Sequence, residues 1–433
     1  YVTGDEEPEE VLDMALPRIR QLSAHEVGHT LGLSHNYIAS AQREHGLQSV
    51  MDYPHPRVTL EDGEIRLDDA YERGIGAWDE VTIRYGYQDF PEGTDVEAAL
   101  EEILMEAEAR GITFLSDQDA RPAGSAHPNV HLWDNGANPA EELERMMDVR
   151  RVALDRFGER AIREGMPLAT MEEALVPLYL HHRYQAEATS KAVGGLYYTY
   201  AMRGDGQEPL RPVPTAEQNA ALDALVRTLD PEELKIPRPV LETLPPRPYG
   251  FPPHRELFDR WTGLVFDAVS PAAAAASATL EMLLHDERAA RLVEQHALDP
   301  SLPSLEDVMG RVNAGTFGRE VADPYAAEIN RVVERIFVER LMELARSAAM
   351  PQVRAVATVR LQRVLERLER TGEVDEGEEA HVFLLSNEIR RFLERPMTDE
   401  PTSGIPDTPP GSPIGDTGMG WIDLRCSWSS GGW

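Results

Sequence analysis

The run from His25 to His35 reads HEVGHTLGLSH, and it leaves this stretch of chain fewer conformational options than any other. On a helix, positions i and i+4 lie one above the other, so His25 and His29 can present two imidazoles to one ion. Glu26 stands beside that face, with its carboxylate within reach of a water on such an ion. Gly32 permits a left-handed turn that a side chain would resist, so the chain can leave the helix axis and return His35 as a third ligand. Three protein nitrogens leave a fourth position open, which distinguishes a catalytic metal site from a closed structural one. A bare HExxH pattern arises by chance in roughly a few per cent of chains this long; the added glycine and third histidine lower that to about one in ten thousand. Three ordinary packed histidines are a poor account of the coincidence.

Around this motif the residues give an α+β, predominantly helical fold. Residues 1–16 are acidic and expected to be open; Pro17 suits the first position of a helix running through Leu31, and Gly32 stops it. An irregular stretch follows to about Pro56. Val58 to Leu60 and Ile65 to Leu67 then flank an Asp62-Gly63 turn as a β-hairpin. Helices are expected over Trp78–Tyr85 and Val96–Arg110, then a turn-rich loop from Ser116 to Asn138, then largely helix. Ile329, Val332, Val333, Ile336, Phe337, Leu341 and Leu344 have helical spacing, as do Val382, Leu385, Ile389 and Phe392, and both sets read as bundle faces. The Arg/Glu alternation between them reads as solvated helix surface. Proline clusters at 208–214 and 237–253 mark crossings, with a boundary near 250. The expected division is therefore residues 1–92 with the metal motif, helical regions 93–250 and 251–395, and a disordered tail 396–433 rich in Pro, Gly, Ser and Asp.

Composition narrows the partners. Lys plus Arg total 42 against 76 Asp plus Glu, a net charge of −34, which repels phosphate backbones and anionic lipid and argues against nucleic acid. Cys426 is the only cysteine, so neither an intrachain disulfide nor a cysteine metal cluster can form. No stretch reaches the ~18 apolar residues of a membrane span; the alanine run after Pro271 comes nearest. The chain starts at Tyr1 with no signal-like segment, and a fragment or processed product is expected.

The extended motif is that of the metzincins, zinc endopeptidases named for a methionine turn below the metal. Such a turn follows at Ser49, Val50, Met51, Asp52 and Tyr53. The resemblance implies Zn2+ held by His25, His29 and His35, with Met51 as an apolar base under the imidazoles. It implies Glu26 as general base toward a zinc-activated water. Tyr53 matches the tyrosine of astacin-like and serralysin-like members, where it hydrogen-bonds the reaction intermediate. Asn36 stands where astacins have glutamate and serralysins proline, so the chain fits neither group. Further segments, Phe114 to Asp119, His131 to Gly136, Leu180 to Gln185 and Val193 to Tyr198, resemble a large bacterial group of zinc-dependent metalloproteases in which a long helical region follows the metzincin domain. That resemblance implies an exported protein, periplasmic or extracellular, acting on protein or peptide substrates. The group carries a long upstream portion with a substrate-aligning strand, whereas 24 residues precede His25 here. A truncated metzincin core is thus expected, with the upper wall of the active site missing or supplied by a separate chain. The alternative is a catalytically incomplete, zinc-braced binding or scaffold module.

Other candidates read as structural. His181 and His182 on one helix point about 100° apart and cannot share a metal, so packing is expected. Asp117, Asp119 and Asp134 lack the spacing of a calcium loop and read as turn or cap residues. Gly194 and Gly195 read as a close helix contact or break. His45 and His55 are expected on the surface near the cleft.

Overall fold

The structure, a computed structural model, describes residues 8–45, 48–67, 70–372 and 374–394. These belong to one compact unit, Tyr1–Pro396; the second unit, Met397–Trp433, and with it the expected disordered tail, lies outside the described residues.

Helix α1 spans Pro8–Thr30, so it begins earlier than its sequence suggests and encloses Pro17. Pro8 takes the first position expected of Pro17, and the Glu, Leu, Met and Ala residues between them are good helix formers. Their combined preference outweighs the backbone hydrogen bond that an interior proline forfeits. At its other end α1 stops as expected. Gly32 has φ +85°, its N–H donates to the His29 carbonyl, and Leu33 N–H donates to the Gly28 carbonyl, both at 3.0 Å. This pair of bonds satisfies two terminal carbonyls and turns the chain sharply back across the helix end.

The expected hairpin forms from β1 (Thr59–Glu61) and β2 (Glu64–Arg66), with Leu60 opposite Ile65 and positive φ at both Asp62 and Gly63. Helices α2 (Ala77–Tyr87) and α3 (Val96–Ala109) pack together, and Arg84 reaches Glu106 at 2.6 Å across their outer edge. Beneath them Leu33, Val50, Met51, Trp78, Ala107 and Ile112 form a small apolar cluster. The turn-rich segment that follows contains one short helix, α4 (Asp117–Ala120), which the sequence does not announce. Its Leu115, Ala120, Val130 and Leu132 pack on Tyr37 and Ile38 as a second cluster just past the histidine motif.

Beyond it the chain is mainly helical, beginning with α5 (Pro139–Asp155), α6 (Met171–Tyr179) and α7 (Arg183–Ser190). The exception is a second hairpin, β3 (Leu196–Tyr198) with β4 (Leu210–Pro212), where mainly helix was expected. Gly194, at φ +61°, starts it against Leu292, so the glycine pair marks a close contact and a break in the helix. One apolar cluster then gathers side chains from Ala140 to Ile389, on both sides of residue 250. Its densest part joins the helices Ser270–Leu283, Pro324–Ser347 and Pro351–Leu368. Ile329, Val333, Phe337, Leu341 and Leu344 point inward there, while Arg335 and Glu339 pair at 3.0 Å on the outside. The architecture is α+β and predominantly helical, with two small antiparallel hairpins among the described residues. No described helix is long and apolar enough to cross a membrane.

Because Phe337 is fully buried at this junction, Phe337→Ala is expected to lower unfolding free energy by about 3–5 kcal/mol. Urea titration followed by far-ultraviolet circular dichroism measures it; a loss below about 1 kcal/mol would show that the core collapses around the site.

Candidate metal centre

The helix and its terminal turn bring His25, His29 and His35 together, with one ring nitrogen of each inside a mutual distance of 4.8 Å. No fourth His, Cys, Asp or Glu side chain among the described residues joins the group. What aims the rings is the other nitrogen of each. His25 Nδ1 lies 2.8 Å from the Val50 carbonyl, His29 Nδ1 lies 3.0 Å from the Leu33 carbonyl, and His35 Nδ1 lies 2.9 Å from Asp117 Oδ2. A carbonyl or carboxylate oxygen can only accept, so each Nδ1 carries a proton, and in the neutral ring that leaves the lone pair on Nε2. The Nε2 atoms of His25 and His35 are buried with no hydrogen-bond partner. Orphaned buried acceptors of this kind fit a metal ion, and three neutral imidazoles are a donor set suited to zinc. Burial, set against the bond to the Val50 carbonyl, holds the His25 imidazolium below its ordinary range and so favours the neutral, ligating form.

The methionine turn lies directly below. Met51 is fully buried, and its Sδ would sit 2.2 Å from a Cβ placed on Gly28, so only glycine in the motif's helix lets the thioether lie so close. The ring of Tyr53 is 5.0 Å from that of His25 and 4.9 Å from that of His35 between centroids. The buried carboxylate of Asp79 braces the turn: it accepts from Ser49 Oγ at 2.7 Å, Val50 N–H at 2.8 Å and Gly76 N–H at 2.6 Å. Asn36, completely buried, ties three segments together. Its N–H donates to the Met51 carbonyl, its Nδ2 to the Thr113 carbonyl, and its Oδ1 accepts from Leu115 N–H.

Two of these groups escape a sequence reading. Asp79 signals only a helix start, being the third residue of α2, yet its carboxylate holds the loop that orients His25. Asp117 reads as a turn or calcium candidate, and in space, 82 residues from its partner, it fixes His35. Arg121 also bonds Asp117, and the Tyr37 hydroxyl donates to it at 3.4 Å. Burial works to raise the Asp117 carboxyl, but the bonds from Arg121 and His35 outweigh it and hold the group below the usual carboxylate range. Asp119 caps α4 and accepts from the Tyr198 hydroxyl at 2.8 Å.

Two expectations about the remaining histidines change: the exposure of His55 and the helical placement of His181 and His182. His55, expected at the surface, is largely enclosed: its ring lies 4.8 Å from that of His181, and burial pushes it down to about 4. His181 and His182 occupy a turn between α6 and α7 instead of a helix, because the helix breaks after Tyr179; both are buried. The side chain of His45 lies outside the described residues.

A helix ending in a glycine turn, three converging imidazoles and a buried methionine loop beneath them fit a metal centre of the metzincin type. A family model described as Met-zincin matches residues 7–323, and the chain belongs to that family. No curated protein and no solved structure matches the chain.

If Asp117 orients His35 as the geometry requires, Asp117→Ala should weaken zinc binding by about 10–100-fold. Competition with a chromophoric chelator reads this directly, and unchanged affinity would remove the carboxylate from the role.

Proposed function

We propose that this chain is a zinc-dependent endopeptidase that hydrolyses peptide bonds in protein or peptide substrates, with His25, His29 and His35 as ligands and Glu26 and Tyr53 as catalytic groups. The observation that carries the reading is the pair of buried, partnerless Nε2 atoms on His25 and His35, converging with His29 and joined by no fourth His, Cys, Asp or Glu among the described residues. A bound zinc ion would supply Lewis-acid activation of water and of the substrate carbonyl.

The protein's own groups do the rest. Glu26 follows His25 on α1, and its side chain is exposed and outside the ligand cluster. That placement suits a base: its carboxylate takes a proton from the attacking water and returns it to the leaving amine nitrogen. The Tyr53 hydroxyl donates to the oxygen that becomes negative as water adds to the carbonyl. Met51 and the cluster around it keep the floor of the site apolar and rigid, so the imidazoles hold their aim. Resemblance to exported bacterial enzymes extends the proposal to a periplasmic or extracellular setting.

A second reading, a zinc-braced binding or scaffold module, draws on the apolar side chains left exposed along α1, namely Leu12, Leu16, Ile19, Leu22 and Val27. Cleavage of a generic unfolded protein, with and without chelator, decides between them. Zinc bound at stoichiometry with no chelator-sensitive cleavage would favour the scaffold.

For the roles themselves, Glu26→Ala is expected to keep its zinc and lose hydrolysis by about 10²–10⁴-fold, whereas His29→Ala loses the metal as well. Elemental analysis paired with peptide turnover measures both, and a zinc-replete, fully active Glu26→Ala protein would discredit the assigned base. Tyr53→Phe is expected to lower kcat by about 10²–10³-fold with KM little changed, in line with loss of one oxyanion donor.

A further inference from the structure

Trp133 is the one bulky described residue held in the left-handed backbone region, at φ +58°. Asp62, the other non-glycine residue there, sits in a hairpin turn, where that conformation is ordinary. For an indole-bearing residue it is disfavoured, and such strain persists only where the surroundings impose it. Here they do. Trp133 N–H donates to the Tyr53 carbonyl at 2.8 Å, and Asn135 N–H donates to Gln185 Oε1 at 3.1 Å. Lys191, buried, donates through Nζ to the carbonyls of Ala120 and Val130 at 2.7 Å each. His131, Leu132, Asp134 and Asn135 are all buried, while Trp133 between them is 38% exposed. The segment is thus clamped on both sides of a single outward-facing indole.

That indole stands next to the metal centre. It stacks on Tyr53 at 6.0 Å between centroids and 14° between planes, and Tyr53 in turn lies against His25 and His35. Tyr184 supports it at 4.8 Å. Glycine would take this backbone conformation without strain, yet the position carries a partly open indole one ring removed from the histidines. We propose that Trp133 is a specificity residue of this site, an aromatic wall on which an aromatic side chain of the peptide substrate stacks. This rests on the peptidase reading above, and it adds the substrate class: peptides with Phe, Tyr or Trp beside the bond to be cut.

The test uses the zinc-loaded full chain and two short peptide hydroxamates that differ only in a Phe or an Ala side chain, with Kd measured by calorimetry. The unaltered protein is expected to bind the Phe compound about tenfold more tightly than the Ala compound, the scale of one good stacking contact. Trp133→Gly removes the ring and suits the left-handed backbone, so folding is preserved. It should bring the two affinities within about twofold of each other while the Ala compound binds as before, and Trp133→Phe should keep most of the preference. The proposal is overturned if Trp133→Gly keeps the preference, if it weakens both compounds equally, as loss of mere support for Tyr53 would, or if the unaltered protein has no preference or binds neither. Cleavage of an unfolded protein is scored separately. Cleavage without preference sinks this inference alone, whereas preference without cleavage sinks the peptidase reading and with it the substrate class, leaving Trp133 only as a contact for an aromatic side chain.

Discussion

An acceptor that holds the proton on one imidazole nitrogen fixes which nitrogen the ring presents and how it is aimed, and the local architecture of this protein is arranged around three such acceptors. They come from three different places. The Leu33 carbonyl belongs to the turn that ends α1, the Val50 carbonyl to the methionine loop, and the Asp117 carboxylate to a segment beyond α3. Losing any one would free a ring to rotate and expose the wrong nitrogen. The geometry that fits a metal is therefore a property of the way three segments meet, and the histidine motif supplies only one side of that meeting.

Two buried polar residues secure the meeting point. Asp79 offers both carboxylate oxygens to the backbone and side chain of the methionine loop, and burial raises its carboxyl even though those bonds oppose the shift. Asn36 links the end of the motif to the methionine loop on one side and to residues 113–115 on the other. Each is satisfied on several sides, the condition under which a buried polar group adds definition to a fold without a large desolvation cost. It also explains why Asn36 need not resemble its counterparts in astacins or serralysins: here an amide with both donor and acceptor is what the geometry uses.

The helical region is coupled to the centre through the segment from Ile112 to Asn135. That segment delivers Asp117 to His35 and Trp133 to Tyr53, and it is anchored from behind by Lys191 and Gln185 on or next to α7. The larger apolar cluster, reaching from Ala140 to Ile389, in turn holds α5 and the helices after it. The distant core meets this end of the chain through that clamped loop and also through β2, where Ile65 packs on it, and through His55 against His181. Among the described residues, acids on the helix surfaces pair with arginines, as Glu339 does with Arg335 and Glu388 with the same arginine.

Much of the site could be read in one dimension because it is local. The spacing of His25 and His29, the left-handed Gly32 and the hairpin at Asp62-Gly63 all follow from backbone geometry over a few residues. Helix faces such as that of Ile329 to Leu344 follow from periodicity. Pro17 was misleading because its local signal was weaker than the summed helix preference of the residues before it. The second hairpin, the turn at His181 and His182 and the burial of His55 depend on contacts far along the chain. So do the roles of Asp79, Asp117 and Trp133, whose residue types are common in turns and caps. The sequence by itself determined which groups could bind a metal and that the fold would be mainly helical. Only the tertiary structure decided which nitrogen each histidine presents and what stands beside it, because those choices are made by acceptors and rings that meet in space across tens of residues.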